Sequence, residues 1–191
     1  MKKSSLELIL SSDKIQERVK ELGTEISKTL KGQNPILIGV LKGSFIFLAD
    51  LIRNIKTDCE VDFVQLKSYD GKKSSDEVEV VKDISLALKD RHVIIVEDII
   101  DTGQTLNFLY KKVKKKNPKS ISIATFLIKP KVAKLNFNID FIGFEISPDF
   151  VVGYGLDFNQ KFRNLDSLYR FVGNGWIKAT YCHILGDFNT K

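Results

Sequence analysis

Residues 93–106 read VIIVEDIIDTGQTL, and they place two kinds of chemistry side by side. The turn Thr102-Gly103-Gln104-Thr105 has the composition of a phosphate cradle. Backbone N–H groups at the start of a helix, the positive end of its dipole and two threonine hydroxyls all favour an anion. Yet Glu97, Asp98 and Asp101 crowd the same stretch, and like unit charges 4 Å apart repel by about 4 kcal/mol at an effective dielectric of 20. One reading makes the three acids solvated loop residues, with Asp101 capping the following helix. The other asks for a ligand that wants both: a phosphate for the turn and, beside it, a sugar diol and a magnesium ion for the carboxylates. A phosphorylated ribose meets both demands. Neither G-x-x-x-x-G-K-[ST] nor a G-x-G-x-x-G between strand and helix is present, which removes the main support for triphosphate hydrolysis and dinucleotide binding.

These residues must be held by regular elements, and the order of those elements is legible. Val93–Val96 is a β-branched run suited to a buried strand. Ile15, Val19, Leu22, Ile26 and Leu30 recur at helical spacing after Ser12-Asp13, which reads as the cap. Pro35–Leu41 is a strand, Ser44–Ile55 a helix, Val61–Lys67 and Val78–Val81 strands around a polar connection, and Thr105 to about Lys116 a helix. Ser120–Lys129 and Phe141–Ile146 continue the sheet. This alternation predicts an α/β fold, a mostly parallel sheet flanked by helices on both faces. Ligands of such sheets bind beyond the carboxyl ends of the strands. Lys42-Gly43, Glu97 to Thr105, Lys129 and Phe150 to Asp157 all fall there.

Composition narrows the classes. The 191 residues suit one domain, and 43% hydrophobic content fills a core. The net charge of +6 suits anionic partners without choosing among them. The start MKKSSLELIL is interrupted by Glu7 and lacks a cleavage site, so it reads as neither signal nor anchor, and no apolar run is long enough to span a bilayer. Two cysteines and two histidines are too few for a disulfide framework, a four-sulfur zinc site or a histidine-rich metal centre. A reducing cytoplasm is the expected location.

With its apolar strand, paired acids and D-T-G-x-T, the stretch VIIVEDIIDTGQTL resembles the signature of the type I phosphoribosyltransferases, which bind phosphoribosyl pyrophosphate. VLKGSFIFLADL, LKSYDGKKSSDEVEVVKDI and DFVVGYGLDFNQKFRNL, in that order, narrow the resemblance to the hypoxanthine-guanine phosphoribosyltransferases over about Leu6–Leu165. It implies transfer of phosphoribosyl from phosphoribosyl pyrophosphate to a 6-oxopurine, with magnesium as cofactor and a homodimer or homotetramer as the assembly. It also implies a single domain over 1–191, with a small hood subdomain formed by the N-terminus and residues from about 130 onward. The tail, 166–191, departs from the family pattern, and no site residue is expected in it.

Carried over residue by residue, the resemblance gives Glu97 and Asp98 the ribose hydroxyls, directly or through magnesium, and Asp101, Thr102, Gly103, Gln104 and Thr105 the 5′-phosphate. Leu41-Lys42 matches a position where the family has a non-proline cis peptide that turns the Gly43 amide toward pyrophosphate. Arg163 also meets the pyrophosphate, and Asp157 serves a second magnesium near the base. Phe150 stacks on the purine, Val151 contacts its edge through the backbone, and Lys129 donates to the 6-oxo group. Asp101 sits beside the purine as the general base. The polar segment SYDGKKSSDE reads as a mobile lid pivoting at Gly71, with Ser68 and Tyr69 seated over the pyrophosphate. The rival reading is a nucleic-acid-binding regulator built on YKKVKKKNPK, but lysines on the outer face of a crossover helix are ordinarily a solvated face, and nucleic acid is not the expected partner. A second alternative keeps the enzyme and changes the base to xanthine.

Overall fold

The β-branched run that marks the phosphate motif lies at the centre of the fold. In the computed structural model, which describes residues 5–68 and 78–172, it belongs to β5 (His92–Ile100). Its side chains alternate between two cores, as the period of a strand dictates. Ile94 and Val96 face a cluster with Ile15, Leu22, Phe47 and Leu51, while Val93 and Ile95 face one with Leu106, Leu109 and Val113. The first cluster is built on α1 (Ser12–Thr29) and α2 (Phe45–Asn54), the second on α3 (Gln104–Lys114). β2 (Ile36–Leu41) divides in the same way, with Leu37 on one side and Ile36, Ile38 and Val40 on the other. Helices therefore cover both faces.

Six strands form this sheet in the order β4-β3-β2-β5-β6-β7, adding β3 (Glu60–Ser68), β4 (Val78–Lys82), β6 (Ser120–Ile128) and β7 (Phe141–Glu145). All neighbours are parallel except β3 and β4. A second sheet has the order β1-β9-β8, from β1 (Ser5–Leu10), β8 (Val151–Val152) and β9 (Leu168–Val172), antiparallel throughout. Of the stretch from about residue 130 onward that the sequence assigns to a hood, β7 joins the large sheet and β8 and β9 the small one.

Three sequence expectations change. The cap of α1 is Ser11, whose hydroxyl accepts from the Lys14 N–H at 3.5 Å, one residue before the expected pair. Glu97 and Asp98 belong to β5 rather than to a loop, because the ladder with β6 continues past them through Ile100. The tail begins in the fold, since β9 pairs with β1 across most of the chain's length. The lid segment, including Tyr69 and Gly71, lies outside the described residues, as do the side chain of Ser68 and residues 173–191. No helix among the described residues is long and apolar enough to cross a membrane. In the basic run, Lys111, Lys112 and Lys114 close the last turn of α3, where cations complement the dipole, and Lys112 pairs with Asp83 at 2.8 Å.

Asp62 ties the antiparallel edge to the sheet. Its carboxylate is buried and accepts from the Ser85 and Leu86 N–H groups at 2.6 and 3.0 Å, from the Ser85 hydroxyl at 3.0 Å and from the Phe63 N–H at 2.7 Å. Burial alone pushes the group up, but the Leu86, Phe63 and Ser85 amides and the Ser85 hydroxyl together hold it well below the usual carboxylate range. A lowered folded value means that stability from this group is fully present above the unfolded value near 3.9 and drains away as pH falls toward the folded one. Asp62→Ala should therefore cost about 2–4 kcal/mol at pH 7, and the gap from the parent should shrink at pH 3. Urea unfolding at the two pH values measures it; a gap unchanged at pH 3 would sink this account.

Candidate functional site

The carboxyl ends of β2 and β5 open into a cleft of about 330 Å³ that collects most of the expected residues. Lys42, Gly43, Glu97, Asp98, Asp101, Thr102, Gly103, Gln104, Thr105, Asp157 and Arg163 line it; Lys129, Phe150 and Val151 do not. The parallel strands β2 and β5 bring Lys42, Gly43 and the residues from Glu97 to Thr105 to one edge of the sheet, and the loop between β8 and β9 adds Asp157 and Arg163.

Glu97 and Asp98 form the floor. Consecutive residues of a strand point to opposite faces, yet both acids line the cleft at the end of a hydrophobic run, Glu97 buried and Asp98 partly so. Burial, reinforced by the charge of Asp98, pushes Glu97 well above the ordinary carboxyl value. Burial also raises Asp98, to about 6; the Ile99 and Asp98 amides and the Arg163 charge oppose this, and the Asp157 charge adds to it. Two neighbouring acids that resist ionisation are the donor set that a hard divalent cation relieves, so the residues fit magnesium. Among the described residues no three acidic, imidazole or thiol groups gather into a cage. Magnesium characteristically takes one or two carboxylates and completes its shell with water and phosphate oxygens, which suits Glu97 and Asp98. Asp157, expected to serve a second magnesium, lines the same cleft; its Oδ1 pairs with Arg163 Nη2 at 2.5 Å and its Oδ2 accepts from the Gln160 N–H at 2.8 Å.

One wall depends on two glycines. A β-carbon at Gly43 would fall 1.5 Å from Asp98 Oδ2, so only a residue without one lets the β2 loop close over that carboxyl. Gly155, at φ +97°, comes so near that a β-carbon on it would lie 2.2 Å from the Gly43 carbonyl oxygen. Arg163 Nη1 donates to the Gly155 carbonyl at 2.6 Å, and Lys42 Nζ reaches Gln160 Oε1 at 3.5 Å. The Leu41-Lys42 peptide is cis. Arg163 is thus a partly buried cation fastened to the loop that carries Asp157, not a surface charge.

The opposite wall is the phosphate turn. α3 opens on Gly103 at φ +84°, which offers no capping side chain, and the helix starts at Gln104, one residue earlier than expected. The uncapped amides of a helix start leave donors for an anion. The segment after β6 braces this turn from behind. Lys134 N–H donates to the Thr102 carbonyl at 3.0 Å, and Asn107 Nδ2 donates to the Lys134 carbonyl at 2.8 Å.

Asp101 departs most from its sequence reading. It does not cap α3, and although it lines the same cleft as the other two acids it has a cation of its own: its Oδ2 accepts from Lys129 Nζ at 2.9 Å. Lys129, which could have been a solvated strand-ending lysine, is buried, whereas Asp101 is half exposed. The expected base and the expected 6-oxo donor therefore stand together beside the cleft. Val151 is buried in β8, and Phe150 sits half-buried among aromatic rings. One of those rings, Phe171, comes from the tail in which no site residue was expected. Its only sequence signal was the density of phenylalanines, at 150, 158, 162 and 171.

Residues 5–159 match the phosphoribosyl transferase domain family. The bifunctional protein TilS/HprT of Listeria monocytogenes is 40% identical over 159 residues, covering 83% of this chain, which spans about a quarter (24%) of the length of that relative. The hypoxanthine-guanine phosphoribosyltransferase of Bacillus subtilis is 43% identical over 166 residues, 86% of this chain and 92% of that one. The solved hypoxanthine phosphoribosyltransferase of Trypanosoma cruzi, in complex with the product IMP, shares the fold with a TM-score of 0.82 at 33% identity, over 90% of this chain and 96% of that one.

Cation binding at Glu97 and Asp98 requires the ionised carboxylates, so their raised values set a pH dependence. Affinity for Mn2+, used as a spectroscopic stand-in for magnesium, should fall as pH drops from 7.5 through the Asp98 value of about 6. Paramagnetic titrations at pH 5, 6 and 7.5 read it out, and an affinity independent of pH would exclude these acids as the donors.

Proposed function

This chain belongs to the phosphoribosyltransferase family, and from that premise we propose that it is a purine-salvage transferase, moving phosphoribosyl from phosphoribosyl pyrophosphate to hypoxanthine or guanine to give IMP or GMP and pyrophosphate. The proposal includes magnesium as cofactor and a cytoplasmic setting. The observation that carries it is the meeting, in one cleft, of adjacent acids, one buried and one partly so, with a glycine-led helix start that has no side-chain cap. That combination suits a ribose carrying both a phosphate and a metal-bound pyrophosphate, and it suits few other ligands.

The chain's residues divide the reaction between them. The turn from Asp101 to Thr105 holds the 5′-phosphate and so fixes the sugar, which removes much of the entropic cost of bringing the reactants together. Glu97 and Asp98 would hold the cation, whose charge stabilises the departing pyrophosphate. Lys42, the Gly43 amide and Arg163 line the wall where that leaving group lies, and they meet the charge that develops as the bond to the anomeric carbon breaks. On the other side Phe150 stacks on the purine, the Val151 backbone meets its edge, and Lys129 donates to the 6-oxo group. Asp101, held by the same lysine, accepts the proton that the ring nitrogen loses as it attacks.

Two substitutions test the assignment, in an assay that supplies phosphoribosyl pyrophosphate, magnesium and each purine base and detects nucleotide. Asp101→Asn keeps the size of the side chain and cannot take a proton, so turnover should drop roughly 10²–10⁴-fold while phosphoribosyl pyrophosphate binding stays near the parent's. An asparagine variant that kept most of its rate would remove Asp101 as the base. Lys129→Ala should raise KM for the oxopurine by an amount equivalent to roughly 1.5–3 kcal/mol, the range for a hydrogen bond to a charged group, with little change for the pyrophosphate substrate. Equal losses for both substrates would contradict the role given to Lys129.

A further inference from the structure

Phe150 is the one purine contact whose value depends on the direction its ring faces, and one of the two rings packed on it comes from β9, beyond the residues 5–159 of the family match. Its ring packs against two others: Phe158 edge-on, with centroids 5.8 Å apart and planes at 83°, and Phe171 at 6.0 Å and 35°. Phe171 in turn meets Phe158 at 5.5 Å and Phe162 at 5.9 Å, both edge-on. Among the described residues Phe171 thus touches all three of the other rings, Phe150, Phe158 and Phe162. Ring pairs at these separations prefer tilted or edge-to-face geometry, so each contact restrains both position and tilt.

Phe171 is itself fixed in place. β9 runs antiparallel between β1 and β8, with Phe171 opposite Leu6 and Arg170 opposite both Glu7 and Val151. Arg170 makes two hydrogen bonds to the Glu7 carboxylate, at 3.0 and 3.1 Å, and a third to Asp149 Oδ2 at 3.3 Å. Ser147 donates to the same Asp149 oxygen at 2.6 Å. Two consecutive residues of β9 therefore hold two consecutive residues of the purine segment: Arg170 the carboxylate of Asp149, Phe171 the ring of Phe150.

We propose that Phe171 is a positioning residue for purine recognition, setting the ring plane of Phe150 and so coupling the small sheet to the specificity of the site. The inference rests on the proposed function. A stacking surface binds a flat heterocycle only if the ring is already presented, because a freely turning phenyl group loses that freedom on binding. Phe158 and Phe162 lie within the loop between Asp157 and Arg163, each next to one of them, but the Asp157–Arg163 ion pair and the bond from Arg163 to the Gly155 carbonyl involve neither ring and stand without Phe171. The effect of losing Phe171 belongs to the base and not to the ribose-phosphate.

Steady-state kinetics with hypoxanthine and phosphoribosyl pyrophosphate varied in turn, on the full chain, separate the two. Phe171→Ala should raise KM for hypoxanthine roughly tenfold, the scale of one or two lost ring pairs, while KM for phosphoribosyl pyrophosphate stays within twofold. Phe171→Leu keeps most of the apolar volume without the ring and carries the test if the alanine variant does not fold; it should show the same selective rise. Leu168→Val loosens β9 from its opposite, core-facing side and serves as the stability control, with no selective effect on hypoxanthine expected. A hypoxanthine KM unchanged in Phe171→Leu, or raised equally for both substrates, overturns the positioning role alone. A parent chain that forms no nucleotide overturns the proposed activity and this inference with it.

Discussion

Glu97 and Asp98 stand side by side at the buried end of β5, and the free-energy cost of burying two acids there sets the terms for everything around them. Both titrate higher in the folded chain than in an unfolded one, so the folded state carries the extra protons and loses stability as pH rises. For Asp98 the penalty accrues between the ordinary value near 3.9 and about 6, and at neutral pH it is on the order of 2–3 kcal/mol. No folding requirement asks for that. A β-branched pair at the same two positions would extend the hydrophobic run and stabilise the sheet. The acids are tolerated because the core on both faces of β5 is large enough to bear the cost, and a bound cation would recover part of it.

The neighbours of the pair are arranged to let it exist. Gly43 leaves room for the Asp98 carboxyl, and Gly155 in turn leaves room for Gly43, so two loops from distant parts of the sequence close over one charge without a side chain between them. Arg163 lowers the cost at Asp98 through its charge, while Asp157, held by that same arginine, raises it. The sheet makes this packing feasible. Parallel strands deliver the β2 and β5 ends to one edge, whereas the antiparallel strand β4 and the Asp62 anchor lie on the β3 side of the sheet.

How far the sequence reveals this depends on the range of the interactions. The β5 run, the paired acids and D-T-G-x-T are contiguous, and their local chemistry was enough to point to a phosphorylated sugar. The amphipathic spacing of α1 and the alternation of strands and helices were equally legible, since a period is a local property. β1, β8 and β9 were not. They are short, and their partners are far away in the chain, as the pairing of Glu7 with Arg170 across 163 positions illustrates. The composition of residues 5–10 carries no sign of which strand they will meet. The strand assignment of Glu97 and Asp98 was missed for a related reason: acids have poor strand propensity, and only the continued ladder with β6 holds them extended. That Asp101 shares the cleft with the other two acids was legible, but its bond to Lys129 was not, because that partner is 28 residues away.

The same division by range runs through the site itself. The phosphate side is one contiguous turn, braced by backbone hydrogen bonds that depend little on which side chains are present. The proposed base side draws on Asp101, Lys129, the Phe150 segment and β9, distant places in the sequence joined by side-chain contacts and by the short β8–β9 ladder. On the proposed function, the Asp101–Lys129 pair need not open to admit a purine. An ammonium group has three N–H donors, and a single bond to the carboxylate leaves two for an oxygen on the base. The pair then works as a preformed unit, with the donor for the 6-oxo group and the acceptor for the ring proton held 2.9 Å apart before the base arrives. A site built this way can change its preference among 6-oxopurines through side chains on the base side, while the turn and the acid pair that hold the sugar stay as they are.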